Sequence, residues 1–193
     1  MKPMDQLHEH YVHNRRVRVL SRRIADLIPP GARVLDVGCG DGLLASMVMD
    51  YRSDVTITGL DVLVRDHTHV PVDHFDGQVL PYPDNEFDVV MFVDVLHHTD
   101  DPMVLLREAA RVARQAVIIK DHTRDGLLAD ATLRFMDRVG NARHGVALPY
   151  NYWTQQRWFE ALASLKLGVG VWCNSLQIYP RPASWLFDRS LQF

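Results

Sequence analysis

A chain of 193 residues, 47% hydrophobic and 23% charged, is long enough to bury one continuous core without disulfide or metal staples, and it reads as a single domain. A formal net charge of −3 leaves no global basic footprint, which excludes a nucleic-acid substrate that needs extensive phosphate neutralisation. Cys39 and Cys173 are too few for a disulfide framework, no apolar run approaches the roughly 20 residues of a membrane span, and a soluble protein of the reducing cytoplasm is expected.

Leu7 to Leu27 reads as an amphipathic helix with Leu20, Ile24 and Leu27 on one face, stopped by Pro29-Pro30-Gly31. Residues 1–30 are expected to form a helical cap over the crevice that follows. The basic cluster Arg15, Arg16, Arg18, Arg22 and Arg23 lies on this helix, as a solvated face or as an anion contact. Strands and helices then alternate. Strands are predicted over Arg33 to Val37, Thr56 to Leu60, Val70 to Phe75, Phe87 to Val93 and Ala116 to Lys120. Helices are predicted over Leu43 to Met49 and Pro102 to Ala113, the latter capped by Asp100 or Asp101 with Pro102 at its first position. Such alternation describes a doubly wound α/β sheet with helices on both faces.

Asp121 to Trp153 is longer than an ordinary connection and carries its own helical pattern, Leu128, Ala131, Phe135, Met136 and Val139, stopped by Gly140. This segment, 121–153, is expected to be a lid. Thr154 reads as the N-cap of a helix reaching about Lys166, and Leu167 to Ser175 and Ser190 to Phe193 read as the last two strands. The end at Phe193 is abrupt for a final strand, which leaves open a native chain that runs further.

The stretch Val34-Leu-Asp-Val-Gly-Cys-Gly-Asp-Gly42 carries the most information. A short apolar strand ending in Gly38, Gly40 and Gly42 lets the chain turn tightly while bare backbone approaches a ligand, and the helix restarting at Leu43 offers free N–H groups to it. A dinucleotide fingerprint would place a third glycine where Leu43 stands, and a P-loop would require a Lys-Ser/Thr pair. Thr56 to Leu60 ends in Asp61, where an acid can accept hydrogen bonds from both hydroxyls of a ribose.

In these residues the chain resembles the class I S-adenosylmethionine-dependent methyltransferases, particularly the branch of quinone and other small-molecule methyltransferases. The resemblance also takes in Gly59-Leu-Asp-Val62, Asp76-Gly-Gln-Val-Leu-Pro-Tyr-Pro-Asp84, Phe87-Asp-Val-Val90, Val95-Leu-His-His98, Asp101-Pro102 and Glu108-Ala-Ala-Arg-Val112. It implies a Rossmann-like seven-stranded sheet with an antiparallel last strand. Asp36, Gly38, Cys39, Gly40 and Gly42 would then face the methionine part of S-adenosylmethionine, and Asp61 would hold the ribose. Val62 would pack on the adenine, and Asp76 with Gly77 would receive its amino group, while Gln78 stands where the family often has Glu. Val93 and Asp94 would close the fourth strand beside the sulfonium. The family's Leu-x-Pro-Gly-Gly turn is replaced by Ala113-Arg-Gln115, which shortens the approach to strand five.

The cofactor supplies the leaving group for methyl transfer, and the protein supplies alignment and, for an alcohol or phenol, a base. His122 and Asp121, at the carboxyl end of strand five, and His97, after strand four, are the candidate catalytic residues; His98 is a weaker one. His144, Tyr150 and Tyr152 are candidate acceptor contacts, with Arg143, Gly145 and Asn151 beside them, and Tyr11, His13 and Arg15 could reach the methionine carboxylate. Trp153, Trp158, Trp172 and Trp185 serve either as core or as walls of an aromatic pocket. Asp94, Asp121 and His122 could converge on a divalent metal, but no close ligand motif supports one and no metal is assigned. The sequence thus points to methyl transfer from S-adenosylmethionine to a small-molecule acceptor at oxygen. Open beside it stands an S-adenosylmethionine-binding accessory or sensor module without catalysis. The absence of an Asn/Asp-Pro-Pro-Tyr motif after strand four weakens amide and base-amine acceptors.

Overall fold

The computed structural model describes residues 3–141, 150–179, 184 and 191–193, with side chains from Arg15 onward except at Asp137 and at residues 139–141. Helix α1 (Pro3–Leu27) leads into β1 (Arg33–Val37), α2 (Leu43–Tyr51), β2 (Thr56–Asp61), β3 (Val72–His74), β4 (Phe87–Val93), a 3₁₀ turn (Leu96–His98), α3 (Pro102–Val112), β5 (Ala113–Lys120), α4 (Ala129–Asn141) and α5 (Gln155–Ser164). The sheet order is β3-β2-β1-β4-β5, and all pairings are parallel. The order reverses between β1 and β4, where open sheets of this kind bind ligands.

Burial on both faces explains why β1 and β4 read as continuous apolar runs. On one face Leu35, Val90 and Phe92 pack with α3 and α5 residues such as Leu105, Leu106 and Trp158. On the other, Val34, Val89 and Met91 pack with Leu20, Ile24, Ala45 and Val48 of α1 and α2. Arg52, the C-cap of α2, fastens the end of α1 to α2 by donating to the carbonyls of Ala25, Ile28 and Pro29 at 2.7, 2.9 and 3.2 Å. Both predicted caps are present: Asp101 accepts from Met103 N–H at 2.9 Å and Thr154 from Arg157 N–H at 3.2 Å. With no turn after α3, β5 begins directly at Ala113, and its ladder with β4 shifts register between Phe87 and Val89.

The expected seven-stranded sheet with an antiparallel last strand is not what forms: among the described residues there are five strands, all parallel. Leu167 to Ser175 makes no ladder. Gly168 and Gly170 weaken it as a strand, and carbonyls at its end and just beyond it accept from α1 side chains instead, Ser175 from Arg23 at 3.4 Å and Gln177 from Arg15 at 3.3 Å. Near Phe193 the pairing shrinks to one antiparallel bridge, Gln192 with His122. The predicted third strand is trimmed at Pro71, which has no N–H to donate, and at Phe75.

Helix α4 also departs from its pattern. Ala129, Leu133 and Met136 pack inward against Tyr152 and Leu191, whereas Leu128 and Phe135 are exposed. The helix continues through Gly140 to Asn141. No helix among the described residues is long and apolar enough to cross a membrane.

Candidate functional site

The site grows from the turn after β1. Gly38 sits at φ 74° and Gly40 at φ 62°. A Cβ on Gly38 would lie 2.5 Å from Val95, so the glycine lets the loop pass under the end of β4; at Gly40 nothing lies within 4 Å, and bare backbone faces open space. Gly40 N–H donates to one oxygen of Asp61 at 2.8 Å and Leu63 N–H to the other at 2.9 Å. Asp61 is thereby fixed at the end of β2, and each oxygen keeps a lone pair for a ligand hydroxyl.

Between this loop and α1 lies a cavity of about 140 Å³ whose walls include Arg16, Asp36, Gly38, Cys39 and Val93. Asp36 is buried, and that burial, reinforced by the charge of Asp61, pushes its carboxyl up to about 7. A buried carboxyl crowded by a second one suits a cationic ligand group, and Arg16 on the facing helix suits an anionic one. Together they fit the ammonium and carboxylate of an amino-acid moiety. Burial also pushes the Cys39 thiol up, with Asp36 and Asp61 adding to it, so this sulfur is a packing group against Gly59 and not a nucleophile.

Beyond Asp61 the chain exposes Val62 and Val79, 54% and 58% accessible. Val62 lies against Gly77, where an added Cβ would stand 3.2 Å from it. Asp76 beside them accepts from Gln78 and Val79 N–H through one oxygen, at 2.8 and 2.9 Å, leaving the other at the rim. Exposed apolar edges with an acid beside them suit a planar heterocycle bearing an amino group. These residues would suit S-adenosylmethionine along its length, with Asp36 and Arg16 toward the methionine, Asp61 toward the ribose, and Val62 and Asp76 toward the adenine.

The ends of β4 and β5 hold a buried polar network. Asp94, at φ 57°, is paired with Arg16 of α1 and with Lys120 at the end of β5. Burial works to raise Asp94, but Lys120 and Arg16 outweigh it and hold its carboxyl well below the usual range. Asp121 is fully buried. One of its oxygens accepts from His97 Nδ1 and from His122 N–H, both at 2.7 Å, and the other from Leu96 N–H at 3.0 Å. Burial opposes the charge, yet His97 and His122 keep this carboxylate ionised. His122 Nδ1 stands 3.5 Å from Asp94 Oδ1 and 3.5 Å from Asp121 Oδ1. Burial and then Lys120 push its imidazole down to about 4, so it is neutral at physiological pH.

The metal trio weighed from sequence is replaced by His97, Asp121 and His122, whose donor atoms lie within 4.8 Å of one another. Because Asp121 already accepts three N–H donors, the arrangement fits a carboxylate orienting an imidazole better than a metal centre. Tyr152, also buried, stacks on His97 with ring centroids 5.4 Å apart and meets His122 edge-on at 5.9 Å. Tyr150 joins it at 6.4 Å and lies under the Arg134 guanidinium at 4.8 Å. Asn151 N–H donates to the His97 carbonyl at 3.2 Å, and His98 packs on His97 at 4.0 Å.

His144, Arg143, Gly145 and Trp185 fall outside the described residues, as do the side chains of Tyr11 and His13. Arg15 turns to Gln177, away from the role considered for it. Trp153 and Trp158 pack together in the core, 4.8 Å apart, and Trp158 donates to the His122 carbonyl at 3.1 Å. Trp172 stacks on Phe193 at 4.3 Å. The described tryptophans thus build core around the site. Sequence reasoning missed Lys120 and the specific part of Arg16; the one available signal was a lysine ending the apolar run Ala116 to Ile119.

The model of a methyltransferase domain family matches residues 9–164. The chain is 36% identical over 110 residues to the 27-O-demethylrifamycin SV methyltransferase of Amycolatopsis mediterranei, covering 49% of this chain and 40% of that protein. It is 30% identical over 118 residues to the ubiquinone biosynthesis O-methyltransferase of Proteus mirabilis, covering 54% and 46%; the chain therefore spans less than half the length of either. A chain of the complex between the Haloferax volcanii Trm112 methyltransferase activator and a methyltransferase shares the fold, with TM-score 0.69 and 17% identity over 96% of this chain and 82% of that one. Glycine loop, sheet order and family match agree: this chain belongs to the class I S-adenosylmethionine-dependent methyltransferases.

Proposed function

We propose that the chain transfers a methyl group from S-adenosylmethionine to an oxygen atom of a small-molecule acceptor. The observation that carries the reading is the buried His97–Asp121 pair at the ends of β4 and β5, one strand over from the glycine loop. When bound, the cofactor supplies an electrophilic methyl on a sulfonium leaving group. The chain's own residues hold it through Asp36, Arg16, Asp61 and Asp76, and bring the acceptor into line with it. An alcohol or phenol must lose its proton as its oxygen forms the new bond. His97 takes that proton on Nε2, because Asp121 binds Nδ1–H, fixes the ring and stabilises the imidazolium.

His122, held neutral by burial and then by Lys120, serves as a hydrogen-bonding partner for the acceptor. Tyr152 and Tyr150 pack beside the pair and would contact an acceptor that reaches it. The oxygen reading also draws support from the two relatives, whose names specify a 27-O-demethyl substrate and an O-methyltransferase.

The test is transfer of labelled methyl from S-adenosylmethionine to a panel of phenols and hydroxylated polyketides, by wild type and by Asp121→Asn. Transfer to oxygen that falls roughly a hundredfold or more in the variant, with cofactor binding intact, is expected. Transfer to carbon or nitrogen, or equal rates in the two proteins, would overturn the assignment. Cofactor binding without transfer to any member of the panel would favour the sensor reading.

A further inference from the structure

We infer that Glu108 and Arg111, on α3, are positioning residues that set where the cofactor's adenine is read; the inference rests on the cofactor reading above. The loop between Phe75 and Phe87 has no helix or strand of its own, and it carries Asp76 and Gly77. It is held from below. Glu108 Oε2 accepts from Leu80 N–H at 2.9 Å. Arg111 donates from Nη2 to the Leu80 carbonyl at 3.0 Å, and from Nη1 to the Tyr82 carbonyl at 2.7 Å and to Asp84 Oδ1 at 3.0 Å. Asn85 N–H returns to the Arg111 carbonyl at 2.9 Å. The two side chains also grip each other, Nε to Oε1 at 2.9 Å and Nη2 to Oε2 at 2.6 Å.

This is a planar fork clamped on both its carboxylate and its loop, a geometry lysine cannot reproduce. Leu80, almost completely buried, plugs the loop into the core, and the turn Asp76 to Val79 stands directly before it. Since one Asp76 oxygen is committed to that turn, the position of its other oxygen follows the position of the loop. Neither side chain hydrogen-bonds Asp76, although the Asp76 charge acts on Glu108. Their effect falls on recognition of the adenine amino group through Asp76.

The probes are S-adenosylhomocysteine and its 6-oxo analogue S-inosylhomocysteine, which lacks that amino donor, titrated calorimetrically into wild type, Arg111→Gln, Arg111→Lys and Glu108→Gln. Wild type should prefer the adenosyl ligand. In Arg111→Gln its affinity should fall roughly tenfold, the equivalent of one hydrogen bond, while the inosyl ligand changes little, so that the preference collapses. Arg111→Lys should not restore it. Glu108→Gln, which keeps shape and an acceptor oxygen, should lose part of the preference and serves if Arg111→Gln fails to fold. A merely structural role would weaken both ligands alike. Equal losses, or an unchanged preference in both Arg111→Gln and Glu108→Gln, would overturn the inference while wild-type binding left the cofactor reading standing. No binding of S-adenosylhomocysteine to wild type would overturn both.

Discussion

Replacing Asp36 with Asn should make the ligand-free protein more stable and the cofactor complex weaker. Asp36 is 3% exposed and its carboxyl is raised from 3.8 to about 7, by burial first and by Asp61 second. The native protein therefore holds this proton more tightly than the unfolded chain does between those two values. The stability it contributes is fully present below pH 3.8 and is lost as pH rises through about 7. Roughly three units at about 1.4 kcal/mol each sets a ceiling of about 4 kcal/mol on the variant's advantage at high pH. Urea denaturation of both proteins across pH 4–8 reads it out: the variant's advantage should be near zero at pH 4 and grow to its full value by pH 8. S-Adenosylmethionine should bind the variant more weakly, because its ammonium loses a carboxylate. The reasoning is refuted if the variant is less stable than wild type at pH 8, or if the difference between them does not change with pH.

Three further outcomes follow from the same geometry. Gly40→Ala meets no atom within 4 Å and should cost only about 1 kcal/mol of stability, from its left-handed backbone, yet it should weaken cofactor binding at least tenfold by placing a methyl where bare backbone faces the ligand; equal affinity would place the ligand elsewhere. His122→Gln should flatten the acid limb of stability: with the native imidazole near 4 against a usual 6.5, the unfolded chain binds the extra proton between those values, so wild-type stability rises with pH by up to about 3 kcal/mol, and denaturation at pH 4, 5, 6 and 7 checks whether that slope disappears. His97→Gln should leave the affinity for S-adenosylmethionine within about twofold of wild type and cut transfer to oxygen at least a hundredfold; a rate unchanged in the variant removes His97 from the mechanism.

The parts of the fold that could be read from sequence are those fixed by short-range backbone rules. The glycines at 38 and 40 announce their left-handed backbone, Asp101-Pro102 announces a helix start, and Asp61 closes its strand. What could not be read depends on partners remote in the chain. Arg16 finds Asp94 and Arg23 finds Ser175, 78 and 152 residues away, and nothing local signals either pairing. The second of these draws off a carbonyl of the segment expected to be a late strand. Leu128 and Phe135 fit a helical stripe as well as Ala129, Leu133 and Met136 do, and periodicity alone does not decide which stripe packs. The candidate chemistry was legible by residue type and location: His97, Asp121 and His122 were each named, but their joining into one network centred on Asp121 required the register that sets β5 beside β4.

The most direct test of the account is calorimetric titration of S-adenosylmethionine into wild type and Asp61→Ala. The account predicts binding of about one molecule per chain to wild type, and affinity at least tenfold lower in the variant, which removes both the acceptor for ribose hydroxyls and the anchor of Gly40 N–H. Failure of wild type to bind, or equal affinity in the two proteins, would contradict it.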